Sequence, residues 1–116
     1  MKQDSNIRSQ MRKGILEYCV LLLLSRQRAY PSDIITGLSE ASLIVVEGTL
    51  YTLLNRLRKE GKLEYQWEES PKGPPRNYYF ITEAGREALA EMSEAWDEIV
   101  VNVTHFRRLA EKLPLN

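Results

Sequence analysis

The stretch that decides the fold has the sequence EGTLYTLLNRLRKEG and spans residues 47–61. Four of its leucines fall three and four residues apart, the spacing of one apolar stripe on an α-helix: Leu50, Leu53, Leu54 and Leu57. The other face carries short polar and basic side chains, namely Thr49, Thr52, Asn55, Arg56 and Lys59. Gly61 is a typical C-terminal stop. We therefore predict a helix from Val46 to Glu60 with one buried and one polar face.

Two helices are predicted before this one. Apolar residues recur at helical spacing from Arg8 to Gln27, and residues 20–24 are apolar on all sides, so this helix must be covered by several neighbours. Pro31 and Ser32 open a shorter helix that runs to about Glu40, because proline is tolerated in a first helical turn. The chain thus begins with three consecutive helices.

A β-hairpin is predicted after Gly61. The segments Leu63–Glu69 and Arg76–Thr82 are rich in aromatic and β-branched residues, and the first of them alternates apolar and polar side chains as a half-buried strand does. Between them lies SPKGPP, residues 70–75. We expect a long, basic tip that its prolines stiffen.

The last segment is predicted to be one long helix capped by Thr82. A helix of about 30 residues is about 45 Å long, more than the diameter of a small domain, so part of it must project. Its apolar residues alternate spacings of three and four, as in a coiled-coil seam: Leu89, Met92, Trp96, Ile99, Val103, Phe106, Ala110 and Leu113. An exposed seam needs a partner, and a second copy of the chain is the simplest one.

This element order is typical of a winged helix-turn-helix. We predict a mainly α fold with a small β-hairpin, in which residues 8–82 form the winged domain. Residues 83–113 then form a C-terminal dimerisation helix packed with the first helix. In such a fold the second helix of the motif enters the DNA major groove, whose width admits one slim polar helix face. The hairpin tip suits the neighbouring phosphates.

Two motifs resemble the PadR family of bacterial regulators: residues 47–61, quoted above, and GPPRNYYFITEAG, residues 73–85. The two motifs follow each other in the same order and at the same distance as in the family. The order of the predicted elements also matches that of the family, from about Gln10 to Leu113. The resemblance implies a homodimeric repressor whose first and last helices build the dimer. The single long final helix is similar to the short-tailed branch, some of whose members bind flat aromatic compounds between subunits.

From the residue chemistry and the resemblance together, we expect DNA contacts from Tyr30, Ser32, Thr49, Tyr51, Thr52, Asn55, Arg56, Lys72 and Arg76. The predicted dimer interface comprises Leu89, Met92, Trp96, Ile99, Val103 and Phe106. Trp96 is most simply a packing residue. In a symmetric dimer, however, Trp96 can face Trp96 of the second copy, and the two rings would leave a slot for a small aromatic or cationic effector. The residues expected to line this slot are Ile15, Met92, Trp96 and Ile99.

Composition narrows the classes of protein. Net charge is zero, yet residues 1–62 carry +4 and residues 63–116 carry −4, which indicates a basic face. The single cysteine, Cys19, lies in an apolar stretch too short to span a bilayer, and no signal peptide is recognisable, so we expect a cytoplasmic protein without membrane contact. His105 lies apart from any metal-ligand cluster. Neither a cofactor motif nor a catalytic arrangement is recognisable, so an enzyme is not expected.

The predicted function is a sequence-specific transcriptional regulator. We expect it to act as a repressor and to bind double-stranded DNA at a palindromic operator as a homodimer. The alternative is a winged-helix protein-interaction module that has lost DNA binding, which the zero net charge and Glu47 favour. The two hypotheses differ in whether Asn55, Arg56 and Arg76 matter.

Overall fold

The computed structural model describes residues 2–112, with side chains from residue 7 onward. The elements in that range are α1 Lys2–Met11, α2 Ile15–Arg26, α3 Pro31–Glu40, α4 Glu47–Lys59, β1 Leu63–Ser70, β2 Gly73–Ile81 and α5 Glu83–Lys112. The predicted mainly α fold with one hairpin and a long C-terminal helix is confirmed. The last predicted seam residue, Leu113, lies outside the described residues.

The prediction of one unbroken first helix is wrong. The chain leaves the helix after Met11 and re-enters it at Ile15, with Gly14 at a φ of +89°. Glycine adopts this left-handed conformation without steric cost, so the break falls where the sequence permits it. The apolar spacing continues across the break and therefore does not reveal it.

The core lies where α2, α3 and α4 meet the hairpin. The buried apolar side chains are Val20, Leu21, Leu24, Ile34, Leu38, Leu50, Leu53, Leu54, Leu57, Leu63, Tyr79 and Ile81. All four leucines of the α4 stripe are among them, as predicted. Ala29 forms a single β-bridge with Tyr79 through hydrogen bonds of 3.0 and 2.8 Å. This bridge fixes the base of the hairpin to the segment between α2 and α3.

The hairpin is longer and its tip tighter than predicted. Strands β1 and β2 pair antiparallel from Leu63 opposite Ile81 to Ser70 opposite Gly73, so only Pro71 and Lys72 remain in the turn. The two following prolines lie within β2 rather than in a loop. They are accommodated where the pairing shifts between Glu68 and Ser70, because an irregular ladder does not require their missing N–H groups.

A close joint connects α5 to the winged domain. The Gly85 N–H donates to Thr82 Oγ1 over 3.0 Å, which confirms the predicted cap. The Thr82 hydroxyl donates to the Gly61 carbonyl oxygen over 2.6 Å, and the Thr82 N–H to that of Lys62 over 3.1 Å. Gly61, at a φ of +78°, follows the end of α4. The start of α5 is thus tied to the turn that ends α4.

Helix α5 packs on α2 along its first half only. The Tyr18 hydroxyl donates to Ser93 Oγ over 2.9 Å, and the Tyr18 and Trp96 ring centroids lie 6.5 Å apart. Leu89 and Met92 pack in part against the chain's own core, so they offer less surface to a partner than the prediction assumed. Beyond Trp96 the helix projects, and the molecule extends over 67 × 35 × 22 Å.

Candidate nucleic-acid interface

The exposed face of α4 carries the residues predicted to contact DNA. Because the leucine stripe points into the core, Thr49, Tyr51, Thr52, Asn55 and Arg56 are all exposed. Thr52 and Asn55 lie three residues apart on the face opposite the stripe. The Thr52 hydroxyl donates to the Gly48 carbonyl oxygen over 3.0 Å, which leaves its oxygen free as an acceptor. The helix therefore presents a slim polar surface.

A groove of about 840 Å³ separates α4 from the α1–α2 junction. Thr49, Thr52 and Arg56 line one side of it, and Arg12 and Lys13 line the other. The sequence analysis missed these two basic residues. The signal available was their position directly before Gly14, where the helix breaks. Together they place positive charge beside the polar face of α4.

Arg56 lies in a network of four charged side chains. Its guanidinium is 2.6 Å from a Glu17 carboxylate oxygen on α2 and 3.2 Å from Glu60. The Lys62 ammonium is 3.0 Å from Glu60 and 3.6 Å from Glu17. The hydrogen bond that Arg56 donates to Glu17 is the largest cause of the raised pKa of Arg56, and the bond that Lys62 donates to Glu60 is the largest cause of the lowered pKa of Glu60. The predicted base- or phosphate-contacting arginine is therefore already paired within the chain.

The wing carries a stack of cations and aromatic rings. The Arg76 guanidinium lies 3.7 Å from the Tyr30 ring centroid, and the Arg28 guanidinium lies 4.7 Å from that of Tyr78. The Tyr30 and Tyr78 rings meet edge to face at 5.9 Å. Arg76 thus folds back onto Tyr30 instead of projecting from a stiff loop, which corrects the expected tip geometry. Lys72 remains exposed in the turn.

The segment that opens α3 holds the two remaining predicted contacts. The Tyr30 hydroxyl donates to a Glu68 carboxylate oxygen, and this bond is the largest cause of the raised pKa of Tyr30. The Tyr30 N–H donates to Asp33 Oδ2 over 3.2 Å, which caps α3. Ser32 is exposed in the first helical turn. Because the Tyr30 hydroxyl already donates its proton to Glu68, Ser32 is the better candidate of the two for a DNA contact.

The residues predicted to line an effector slot lie where α2 meets α5. Ile15 and Met92 are half-buried, whereas Trp96 and Ile99 are exposed. Trp96 rests against Tyr18, a neighbour that the sequence analysis missed because the two residues lie far apart in the chain. An exposed tryptophan ring at this point can pack against a partner chain or a planar molecule.

Between residues 2 and 112, no helix combines the length and the hydropathy that crossing a bilayer requires. In the same part of the chain, His, Cys, Asp and Glu side chains nowhere gather in groups of three that could hold a metal ion.

Comparison with known proteins identifies the relatives of this chain. A model of the transcriptional regulator PadR-like family matches residues 20–91. A PadR-like transcription factor from Bacteroides fragilis is 54% identical, with a TM-score of 0.75 over 87% of this chain and 98% of that one. A PadR-like transcriptional regulator from Bacillus cereus is 37% identical, with a TM-score of 0.76 over 84% of this chain and 95% of that one.

A more distant structure is that of Bacillus subtilis PadR in complex with operator DNA. It is 21% identical, with a TM-score of 0.63 over 68% of this chain and 46% of that one, and so shares the fold. The family match covers more than half of the chain and agrees with the winged architecture. The chain belongs to the PadR-like family of transcriptional regulators, whose members are regulators rather than enzymes.

Proposed function

We propose that this chain is a sequence-specific DNA-binding regulator that acts as a repressor. It binds a palindromic operator as a homodimer, with α4 of each subunit in the major groove of one half-site. The observation that carries the proposal is the polar face of α4, exposed beside a wing whose turn carries Lys72. The complex of Bacillus subtilis PadR with operator DNA supports it.

Each part of the surface has a distinct task in this proposal. Asn55 is suited to bidentate hydrogen bonding with adenine, and Thr52 to a base edge or a thymine methyl group. Lys72 on the wing and Arg12 beside the groove are suited to phosphates, which position a protein without reading sequence. Arg56 and Arg76 already contact other side chains of the chain, so a DNA contact forms beside these internal contacts or in place of them.

The exposed half of α5 supports the homodimer. Ile99, Val103 and Phe106 are large apolar side chains on one side of a helix that projects from the domain, and all three are exposed. A continuous apolar stripe of this kind is stable in water only when it is covered. The same stripe on a second copy covers it by a coiled-coil contact.

The DNA-binding proposal is tested by fluorescence polarisation with the promoter region of the protein's own gene. Asn55→Ala should weaken specific binding by about 1–3 kcal/mol, which is roughly 5- to 160-fold. Asn102→Ala, the same change on an exposed part of α5, is the matched control and should bind like the wild type. If neither protein binds, or if Asn55→Ala binds like the wild type, the interaction-module alternative is favoured. A reporter gene behind the bound fragment then tests repression.

The dimer is tested by sedimentation of two valine variants. Val103→Lys places a charge in the seam and should yield monomers, since an unpaired charge is costly to bury. Val101→Lys makes the same change outside the seam and should leave the dimer intact. Val101 is 67% exposed and Val103 only 51%, so simple exposure predicts the opposite order. Equal behaviour of the two variants would contradict a dimer through this seam.

The proposed effector slot at Trp96 is tested with a planar cationic dye. Binding should quench tryptophan fluorescence in the wild type and in Trp67→Ala, whose substitution removes the exposed tryptophan of the wing. The quenching should be lost in Trp96→Ala. Equal quenching in both variants would place the dye elsewhere.

A further inference from the structure

Glu17 is a charged residue of the Arg56 network to which the proposed function gives no role. It belongs to α2, and its carboxylate contacts both cations of the network, at 2.6 Å from Arg56 and 3.6 Å from Lys62. Its side chain is only 14% exposed. Two cations therefore face two carboxylates, and the charges of Arg56 and Lys62 are balanced within the chain.

A DNA phosphate and the Glu17 carboxylate compete for the same donor. Arginine presents a planar set of N–H groups that matches carboxylate and phosphate oxygens equally well, and it cannot give its full geometry to both. When a phosphate takes the N–H group of Arg56 that faces Glu17, the 2.6 Å contact to Glu17 must lengthen or break. Binding then exchanges one ion pair for another instead of adding a new one.

The loss of the contact to Arg56 costs more free energy at Glu17 than at Glu60. Glu60 caps the end of α4 and is 39% exposed, so water can solvate it when its partner leaves. Glu17 is more enclosed, and the next residue, Tyr18, holds this turn of α2 to Ser93 on α5. A partly buried carboxylate that loses one of its two cationic partners is destabilised.

We propose that Glu17 is a positioning residue that holds Arg56 on the body of the protein and competes with DNA phosphate for its guanidinium. It thereby weakens sequence-independent DNA binding and leaves discrimination to contacts such as that of Asn55. This inference rests on the proposed DNA-binding function. A carboxylate that instead presents Arg56 to DNA would have the opposite effect, so the sign of the change decides between the two.

The test is polarisation with a labelled duplex of arbitrary sequence, titrated at several salt concentrations. Glu17→Gln keeps the size of the side chain and removes its charge. It should bind about fivefold more tightly per subunit, with a slope of log affinity on log salt steeper by roughly 0.9 for each phosphate gained. Glu17→Asp keeps the charge but withdraws it by one methylene, and should lie between the wild type and Glu17→Gln.

Two controls separate this exchange from a general charge effect. Glu94→Gln removes the same charge from an exposed position of α5 and should bind like the wild type. In an Arg56→Ala background, Glu17→Gln should lose most of its effect, because the contested guanidinium is absent. Thermal melts confirm that each variant is folded.

The outcomes are distinct. If the wild type binds DNA and Glu17→Gln binds with equal or lower affinity, the inference is overturned but the proposed function is not. The inference also fails if the gain is as large in Glu94→Gln, or if it persists in the Arg56→Ala background. If neither the wild type nor any variant binds any duplex, both the proposed function and the inference are refuted.

Discussion

Gly85→Ala should markedly destabilise the protein, although alanine is the better helix former. A Cβ at Gly85 would lie 2.2 Å from the Lys62 carbonyl oxygen and 2.7 Å from Ile81 Cγ1. Carbon and oxygen atoms approach only to about 3.3 Å, so α5 must move away by roughly 1 Å. The atom in the way belongs to the backbone, which cannot rotate aside as a flexible side chain could.

The magnitude follows from the contacts that this movement disrupts. The Thr82 N–H bond to Lys62 and the Thr82 hydroxyl bond to Gly61 each contribute about 1 kcal/mol, and the Thr82 cap contributes about 1 kcal/mol more. Replacing glycine in a helix returns about 1 kcal/mol. The net loss is therefore about 2 kcal/mol, which lowers the melting temperature of a chain of this size by roughly 8 °C.

The assay is thermal unfolding by circular dichroism at one protomer concentration, because the proposed dimerisation would make the midpoint depend on concentration. Gly48→Ala is the matched control. Nothing lies within 4 Å of a Cβ at Gly48 in the first turn of α4, so this variant should melt at or slightly above the wild-type temperature. A Gly85→Ala midpoint within about 2 °C of the wild type would refute the close-joint argument.

Three further predictions concern the cap, the core and the thiol. Thr82→Ala should lower the free energy of unfolding by about 1–2 kcal/mol in urea titrations. Thr82→Ser keeps the hydroxyl and should therefore retain most of the wild-type stability. Equal losses in the two variants would contradict the hydrogen-bonding role of Thr82. Leu54→Ala should lower it by roughly 2–5 kcal/mol because the side chain is fully buried, and a loss under about 1 kcal/mol would contradict that burial. Burial raises the pKa of the Cys19 thiol, so Cys19 should react slowly with a disulfide reagent at neutral pH until the protein unfolds, whereas equally fast reaction in the folded state would contradict its placement.

Features that depend on neighbouring residues were predicted correctly more often than features that depend on contacts between distant parts of the chain. The α4 helix, its leucine stripe, the Gly61 stop and the Thr82 cap were all predicted correctly. Each depends on residues a few positions apart, where spacing and backbone preference act directly. The break at Gly14 and the two-residue hairpin turn were missed, because apolar spacing continues across the first and proline content suggested a loop at the second.

The candidate interface shows the same division. From the sequence, Asn55, Arg56 and Arg76 are predicted to contact DNA because of their polar or basic side chains, and this stays a prediction. The sequence did not reveal that Arg56 pairs with Glu17 from another helix, or that Arg76 stacks on Tyr30 before α3. Such pairs join distant parts of the chain, so they depend on how the helices and the wing pack.

By itself, the sequence determined the order of the elements, the polar face of α4 and the apolar seam of α5, because helical and strand periodicity are local properties of the chain. Only the tertiary structure decided which part of that seam remains exposed beyond Trp96 and which basic side chains are already paired. The physical reason is that burial and ion pairing depend on the distances between folded elements. The winged domain follows from the pattern of residues 47–61, whereas the charge it offers to DNA depends on the packing of α2 against α4.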